Sequence, residues 1–404
     1  MTGRTSPALM ASAAWVVTAV FILSNSPTPL YVHWQQSLNF STGTLAVIFA
    51  CYIAGLLGTL LIAGQLSDRY GRKMMLIPGL LAALMACALF SVAQSVTFLA
   101  IARLLSGIAV GTVVTAGMAA VSDLGGADRR RQAALLASVS MVLGAGLGPL
   151  LAGTIAQWQT SPVIPIFGVE FAVLLSALII LFLLPLRAAP RLERKPLRLR
   201  LPTVPADNRR HLLYGIGTFG PGITATSFML ALGPSLLSRL LDVSSPMVAG
   251  GMACAMFLTA TGVQFMVRQW KVRSIFLTST LATIAAMASL TLAVQASLAG
   301  VLILAALFAG VGQGLGQLGG LTLIGLHVAD GRRAEANAVL NIGGYLPACL
   351  LPVAAGYAID LFGLTNGAAL FALILSLAAG VGGFFIFNSL RDVPYPAQSS
   401  DDPS

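Results

Sequence analysis

The segment Gly64-Gln-Leu-Ser-Asp68-Arg69-Tyr-Gly71-Arg72-Lys73 is a short polar stretch between two apolar runs, 43–63 and 74–94. Each run has about 20 residues, the length that an α-helix with a rise of about 1.5 Å per residue needs to cross a hydrocarbon core of about 30 Å. Short loops rich in Lys and Arg are typical of the cytoplasmic side of a membrane protein. The segment therefore predicts a tight cytoplasmic turn between two membrane-spanning helices.

The same alternation of apolar run and polar loop continues along the chain of 404 residues. Hydrophobic residues make up 57% of it and charged residues 9%, whereas a soluble domain has about 25% charged residues. Twelve runs are long enough to span a bilayer, and we number them spans 1 to 12: 10–31, 43–63, 74–94, 97–121, 133–156, 163–186, 212–237, 246–266, 275–295, 298–328, 337–358 and 367–388. The sequence thus predicts an all-α membrane protein whose surroundings are the lipid bilayer.

The basic residues predict the orientation of the chain. Of the 23 Lys and Arg residues, all except Arg103 and Arg239 lie in the N-terminal lead, in alternate loops or in the tail, on the side that the positive-inside rule assigns to the cytoplasm. Both termini are therefore expected in the cytoplasm, in a bacterial-type inner (plasma) membrane. The longest loop divides six spans from six, which predicts four units: an N-terminal bundle 1–186, a basic linker 187–211, a C-terminal bundle 212–390 and a short tail 391–404.

Composition also excludes several classes of protein. The net charge is +10, but the basic residues are spread over short loops rather than along one face, so nucleic acid is not an expected partner. The four cysteines lie far apart in apolar runs without a CxxC pair, which predicts core thiols and no metal site. The chain has no HExxH motif and no GxxxxGK[ST] loop, so we expect neither a zinc enzyme nor a nucleotide-driven pump, and no cofactor.

The segment 64–73 resembles the signature loop of the major facilitator superfamily: glycine, three residues, aspartate, arginine, any residue, glycine, arginine, lysine. The resemblance implies two six-helix bundles with pseudo-two-fold symmetry that open a shared pocket alternately to either side. In the family, the loop aspartate contacts the N-terminus of span 11, here near Asn337, and the later arginine pairs with an acid at the cytoplasmic end of span 4. The residues that we expect to form this conformational latch are Gly64, Asp68, Arg69, Gly71, Arg72, Lys73 and Asp123. For Arg69 and Lys73, simple anchoring of the loop stays open.

Span 4 contains Leu99, Arg103, Ser106 and Gly107, which are similar to the family's second motif, with Ser106 in place of the usual glutamine. An arginine inside hydrocarbon is costly unless it faces a cavity or a partner, so Arg103 is a candidate functional residue. The alternative is that its side chain extends to the outer surface, which is about 9 Å away along the helix.

Span 5 contains Gly144, Gly148, Pro149 and Gly153, which resemble the motif of antiporters and drug exporters in this superfamily. Small residues four apart let helices touch, and a proline removes one backbone hydrogen bond and bends the helix. The resemblance implies export, although a role in packing alone stays open. Asn25, Pro27, Pro29 and Tyr31 in span 1 are similar to a proline-containing element of the twelve-span exporters.

A proton-coupled carrier needs a group that titrates within the membrane, and only Glu170 is an acid inside a predicted span. Burial disfavours the charged form of a carboxyl group, so such a group can exchange protons near neutral pH. Glu170 lies at a depth close to that of Arg103, and the two side chains could pair or exchange partners. An interfacial carboxylate that reaches water is the alternative.

Neutral hydrogen-bonding residues near the middle of the spans are candidates for a substrate cavity: Asn25, Tyr31, Thr224, Gln313, Gln317, Asn341 and Tyr345. The leading hypothesis is a monomeric secondary transporter that exports small amphipathic compounds in exchange for protons. The same scaffold could instead carry a specific metabolite such as a sugar or organic acid by uniport or symport, and the sequence leaves both open.

Overall fold

The computed structural model describes residues 7–126, 129–186, 206–240, 245–267, 269–329 and 332–389. The side chains at positions 64, 65, 68, 130, 131, 206, 207, 240 and 334 are outside this description. Every regular element in the described ranges is a helix. Within them, twelve helical segments are long and apolar enough to cross a membrane, as the sequence predicts.

Eleven spans begin and end within a single run of helix, and span 1 is broken. Span 1 comprises Pro7–Asn25, the 3₁₀ turn Thr28–Leu30 and Tyr31–Leu38. Span 4 runs from Val96–Thr112 through a π-helical turn, Val113–Gly117, into Met118–Gly125. The others are Thr42–Tyr70, Arg72–Ser91, Arg130–Trp158, Val163–Leu183, Ala206–Leu240, Pro246–Met266, Val272–Ala296, Ala299–His327, Arg333–Phe362 and Leu364–Ser389 for spans 2, 3, 5, 6, 7, 8, 9, 10, 11 and 12.

Several helices extend beyond the predicted apolar runs. Span 2 continues as a helix to Tyr70, so most of segment 64–73 is helical and the turn is confined to Gly71. Span 7 begins at Ala206, so the last residues of the predicted linker are helical, and the rest of the linker lies outside the described residues. Outside the bilayer core, a helix needs no apolar side chains to persist, and hydropathy therefore cannot mark its end.

The bundle has two ends, which we call the linker end and the far end. The linker end holds the C-terminus of span 6 and the N-terminus of span 7, and the far end is opposite. Spans 2, 4 and 8 begin at the far end behind Ser41, Ser95 and Ser245, and each of these hydroxyls accepts a hydrogen bond from the backbone N–H three residues later. Such N-caps satisfy donors that lipid cannot satisfy.

The packing repeats between the two halves of the chain. Spans 1 and 5, 2 and 4, and 3 and 6 pack together in the first half, and spans 7 and 11, 8 and 10, and 9 and 12 in the second. Between the halves, span 2 packs on span 11 and span 5 on span 8. Two six-helix bundles related by pseudo-two-fold symmetry are therefore present.

The two halves are in contact at the far end. Hydrogen bonds between described residues of the two halves join them at the far end, and Sγ of Cys349 lies 3.7 Å from the carbonyl oxygen of Ala50 deeper in the bundle. Closer to the linker end, Gly58 of span 2 has nothing within 4 Å of the position of a Cβ atom. The described residues thus form a state closed at the far end.

Candidate functional site

The signature turn at the linker end brings span 2, span 3 and span 4 together. Gly71 has φ 94° and ψ 156°, a conformation that L side chains rarely adopt, so glycine is required here. The next residue, Arg72, points back: its Nε lies 3.2 Å from Asp123 Oδ2, and its Nη1 donates to Ser67 Oγ at 2.9 Å. The predicted Arg72–Asp123 pair is present, and its role as a latch stays a prediction.

Lys73 binds the C-terminus of span 6. Its Nζ donates to the carbonyl oxygens of Phe182 at 2.7 Å and Leu184 at 3.4 Å, at the C-terminus of span 6. A cation is favoured there because the last carbonyls of a helix are unpaired and carry the negative end of its dipole. Lys73 therefore connects span 3 to span 6 within one half. The guanidinium carbon of Arg69 lies 5.5 Å from the ring centre of Tyr70. The side chains of Gly64 and Asp68 lie outside the described residues.

The break in span 1 prepares a site for Arg103. Pro27 and Pro29 have no backbone N–H, so the helix that ends at Asn25 cannot continue its hydrogen bonds through them. Carbonyl groups at the end of the helix are therefore left free. Arg103 Nη1 donates to one of them, the carbonyl oxygen of Ser24, at 2.5 Å.

Arg103 is fully buried, at 0% exposure. Its Nη2 donates to the hydroxyl of Tyr31, and its guanidinium carbon lies 5.1, 5.6 and 5.7 Å from the ring centres of Tyr31, Phe49 and Tyr52. A desolvated cation gains about 2 kcal/mol from an aromatic face. The side chain thus turns inward, and the alternative of an arginine that extends to the surface is wrong. Sequence reasoning missed Phe49 and Tyr52, because nothing in their spacing marks rings that face another span.

Glu170 lies in the same polar region but does not pair with Arg103. It is 5% exposed, and its neighbours include the hydroxyl of Ser26 in the break of span 1. Arg103 is close enough to influence the carboxylate electrostatically, yet these two described side chains form no ion pair. Oε2 of Glu170 has no hydrogen-bond partner. The alternative of an interfacial carboxylate in contact with water does not fit this burial.

The glycines of span 5 contact two different helices. A Cβ atom at Gly144 would overlap Thr18 and Phe21 of span 1, and one at Gly148 would overlap the backbone of Ile22. Gly153 and Pro149 face span 8 instead, where the carbonyl oxygen of Pro149 lies against Gly250. Span 5 is therefore packed backbone to backbone against its own half on one side and against the other half on the other.

Span 4 also packs closely against a neighbouring helix through a glycine. A Cβ atom at Gly107 would overlap the carbonyl oxygen of Tyr52 in span 2. The equivalent helix of the second half repeats it, because Gly310 and Gly314 of span 10 lie against the carbonyl oxygens of Met256 and Ala260 in span 8. Close helix packing by small residues is typical of membrane bundles.

Of the predicted cavity residues, two lie in the first half, four lie in the second half, and Thr224 is part of the helix packing. Asn25 and Tyr31 lie beside Arg103 in the first half, where Asn25 Nδ2 donates to Ser24 Oγ at 3.0 Å. In the second half, Gln313, Gln317, Asn341 and Tyr345 are half-buried, and the ring of Tyr345 lies 6.1 Å from that of Phe219. Thr224 is fully buried and donates to Gly220 O in its own helix at 2.7 Å, so it belongs to the packing of span 7.

A cavity of about 200 Å³ lies at the far end between spans 1, 5, 7 and 8. Residues of both halves line it, among them His33 and Ser238. None of the seven predicted cavity residues is in its wall. It is therefore distinct from the polar region around Arg103 and Glu170.

Comparison with known proteins shows which proteins this chain is similar to. The chain is 34% identical over 99 residues to Multidrug resistance protein MdtL of Escherichia coli, a match that covers 24% of this chain and 25% of that protein. MdtL of Shigella boydii matches to the same extent. The matched stretch is thus about a quarter of the length of these relatives.

Two solved structures have a similar fold. A mutant form of the nucleoside transporter NupG has a TM-score of 0.73 at 12% identity, covering 95% of this chain and 100% of that chain. A bacterial homolog of the human lysosomal transporter Spinster, in an inward-facing and unoccupied conformation, has a TM-score of 0.73 at 14% identity, covering 98% and 100%. At these identities the likeness concerns the fold. The family model described as Major Facilitator Superfamily matches residues 13–269, more than half of the sequence, and the chain therefore belongs to the major facilitator superfamily of membrane transporters.

Proposed function

We propose that this transporter exports small amphipathic compounds across the plasma membrane in exchange for protons. Its termini and the linker end face the cytoplasm, because the loops at that end hold nearly all the basic residues. The described state, closed at the far end, is then the state open to the cytoplasm, from which an exporter takes up its substrate.

The buried carboxyl group of Glu170 is the single observation that carries the coupling. An ionised carboxylate inside a membrane protein is costly unless it is paired, and Glu170 has an oxygen without a partner. A carboxyl group whose surroundings change between burial and water binds and releases a proton as they change. Because Ser26 of the span 1 break is next to it, a movement of this segment would alter its surroundings.

Two observations support export as the direction of transport: the sequence and packing of span 5, and the relatives of the chain. The Gly148-Pro149 segment of span 5 resembles the antiporter motif, and here it packs both on span 1 and on span 8 across the interface. A change in this contact therefore couples the span 1 break to the opening between the halves. The partial identity with Multidrug resistance protein MdtL supports export of drug-like compounds.

The experiment uses purified protein in lipid vesicles with an imposed pH gradient and a chemically varied panel of compounds. Wild-type protein is expected to accumulate a compound against its gradient while the proton gradient lasts, and Glu170→Gln to catalyse only downhill movement. Glu335→Gln is the matched control, because Glu335 is an exposed acid at the linker end. Uphill transport by Glu170→Gln at the wild-type level would refute the coupling role.

A second candidate is a carrier of one polar metabolite. The carbonyl oxygen of the Gln313 side chain is buried without a hydrogen-bond partner, and a specific polar substrate could supply one. Saturable transport of a single polar compound, without competition by amphipathic ones, would favour this function over the first.

A further inference from the structure

A contact between Asp360 and the start of span 2 joins the two halves at the far end. The carboxylate of Asp360, near the C-terminus of span 11, accepts hydrogen bonds from the backbone N–H groups of Thr42 at 3.0 Å and Gly43 at 2.7 Å. Span 11 belongs to the second half and span 2 to the first. Both bonds therefore exist only while the halves are together at this end.

These two N–H groups are suited to a carboxylate. The first four N–H groups of a helix have no partner within it, and the N-terminus carries the positive end of the helix dipole. Ser41 Oγ accepts from Thr44 N–H at 3.2 Å, whereas Asp360 takes the N–H groups of Thr42 and Gly43. The charge of one half thus completes the helix cap of the other.

Small residues bring the backbones close enough for this contact. A Cβ atom at Gly356 would lie 2.9 Å from both Gly43 Cα and Thr42 O, and the ring of Tyr357 covers Gly43. Arg239 of span 7 also reaches the same point, where its Nη1 lies 3.4 Å from Thr42 Oγ1. The carboxylate of Asp360, the guanidinium of Arg239 and the close contact of Gly356 with Gly43 therefore all lie at the first turn of span 2.

We propose that Asp360 is a gating residue, whose charge on the N-terminus of span 2 stabilises the conformation closed at the far end. When the halves separate there, the carboxylate and the two N–H groups exchange this bond for water. The inference rests on the alternation of two halves that the family fold implies. It is independent of the substrate, the coupling ion and the direction of transport.

The test measures how often the far end opens. Ser235 is buried at the interface and bonds to Gln35 of the other half at 3.1 Å, so Ser235→Cys, in a variant whose four native cysteines are replaced by serine, places a thiol behind the gate. A slowly reacting, membrane-impermeant maleimide then labels this thiol at a rate proportional to the open population. Because Asp360 is exposed, we expect Asp360→Asn to raise the rate about fivefold, the effect of losing a surface charge at a helix terminus.

Asn366→Ala is the matched control, because Asn366 is an exposed polar residue at the far end that bonds to Phe362 O within its own half. Its labelling rate is expected to stay within about twofold of the parent. Labelling of the denatured proteins checks that the thiol reacts equally in all of them. A rate for Asp360→Asn within twofold of the parent, or an equal acceleration by Asn366→Ala, would overturn the proposal.

Discussion

Gly148 is a point at which span 5 touches the backbone of span 1, and alanine at this position tests that contact. A Cβ atom there overlaps the carbonyl oxygen, the carbonyl carbon and the Cα of Ile22. Because all three are backbone atoms, no change of rotamer relieves the overlap, and the two helices have to separate by about 1 Å. Overpacking of this kind costs about 1–3 kcal/mol.

The matched control is Gly168→Ala in span 6, where nothing lies within 4 Å of the added Cβ. Both substitutions remove the conformational freedom of a helical glycine, a gain of about 0.5–1 kcal/mol that cancels between the two variants. The remaining difference is the overlap at Gly148, about 2 kcal/mol at the centre of the range. For a unit the size of one six-helix half, this corresponds to about 4–8 °C in the unfolding midpoint.

The assay is thermal unfolding of the purified, detergent-solubilised variants, followed by intrinsic tryptophan fluorescence. Gly148→Ala is expected to unfold about 4–8 °C below Gly168→Ala, with Gly168→Ala at or slightly above the wild type. Coinciding midpoints would show that spans 1 and 5 do not approach each other as described. The glycines of the antiporter-like segment would then lack the packing role that links span 1 to span 8.

Two other substitutions test the linker end and the buried cation. Either Arg72→Asp or Asp123→Arg is expected to slow transport about two- to fivefold, as for an exposed ion pair. The double exchange is expected to recover part of that rate, because opposite charges again face each other. No recovery in vesicle transport assays would exclude a latch that depends on this pair. Arg103→Lys keeps the charge but puts a single nitrogen in place of the two that donate to Ser24 O and Tyr31 Oη. We expect an initial transport rate at least about tenfold lower at equal protein content, the effect of one lost charged hydrogen bond. A near-normal rate would show that the two-nitrogen contact is not needed.

The number of spans could be predicted from sequence, but the ends of several helices could not. Crossing a bilayer requires a fixed length of apolar helix, so run length alone identifies spans 1 to 12. The polar residues before Gly71 are helical, because the helix of span 2 keeps its backbone hydrogen bonds beyond the bilayer core and ends only at Tyr70. The tenth run, longer than one crossing needs, is one continuous helix, Ala299–His327.

The charged residues of the candidate site could be predicted from sequence, but the partners that they contact could not. Arg103 and Glu170 stand out as ionisable residues in apolar runs, and the structure buries both. The partners of Arg103 are a backbone carbonyl and aromatic rings, which sequence spacing cannot identify because any helix end supplies free carbonyls. Asp360 was missed for a similar reason, since its partners are backbone N–H groups of another span.

If the protein exchanges substrate for protons, addition of the substrate alone moves protons across the membrane. Vesicles containing the protein and a pH-sensitive dye, with no initial pH gradient, receive a transported compound on one side. Wild-type protein is expected to move protons against the direction of the compound, and Glu170→Gln to move the compound without protons. Substrate flux through the wild-type protein with no accompanying change in pH would show that transport is not coupled to protons.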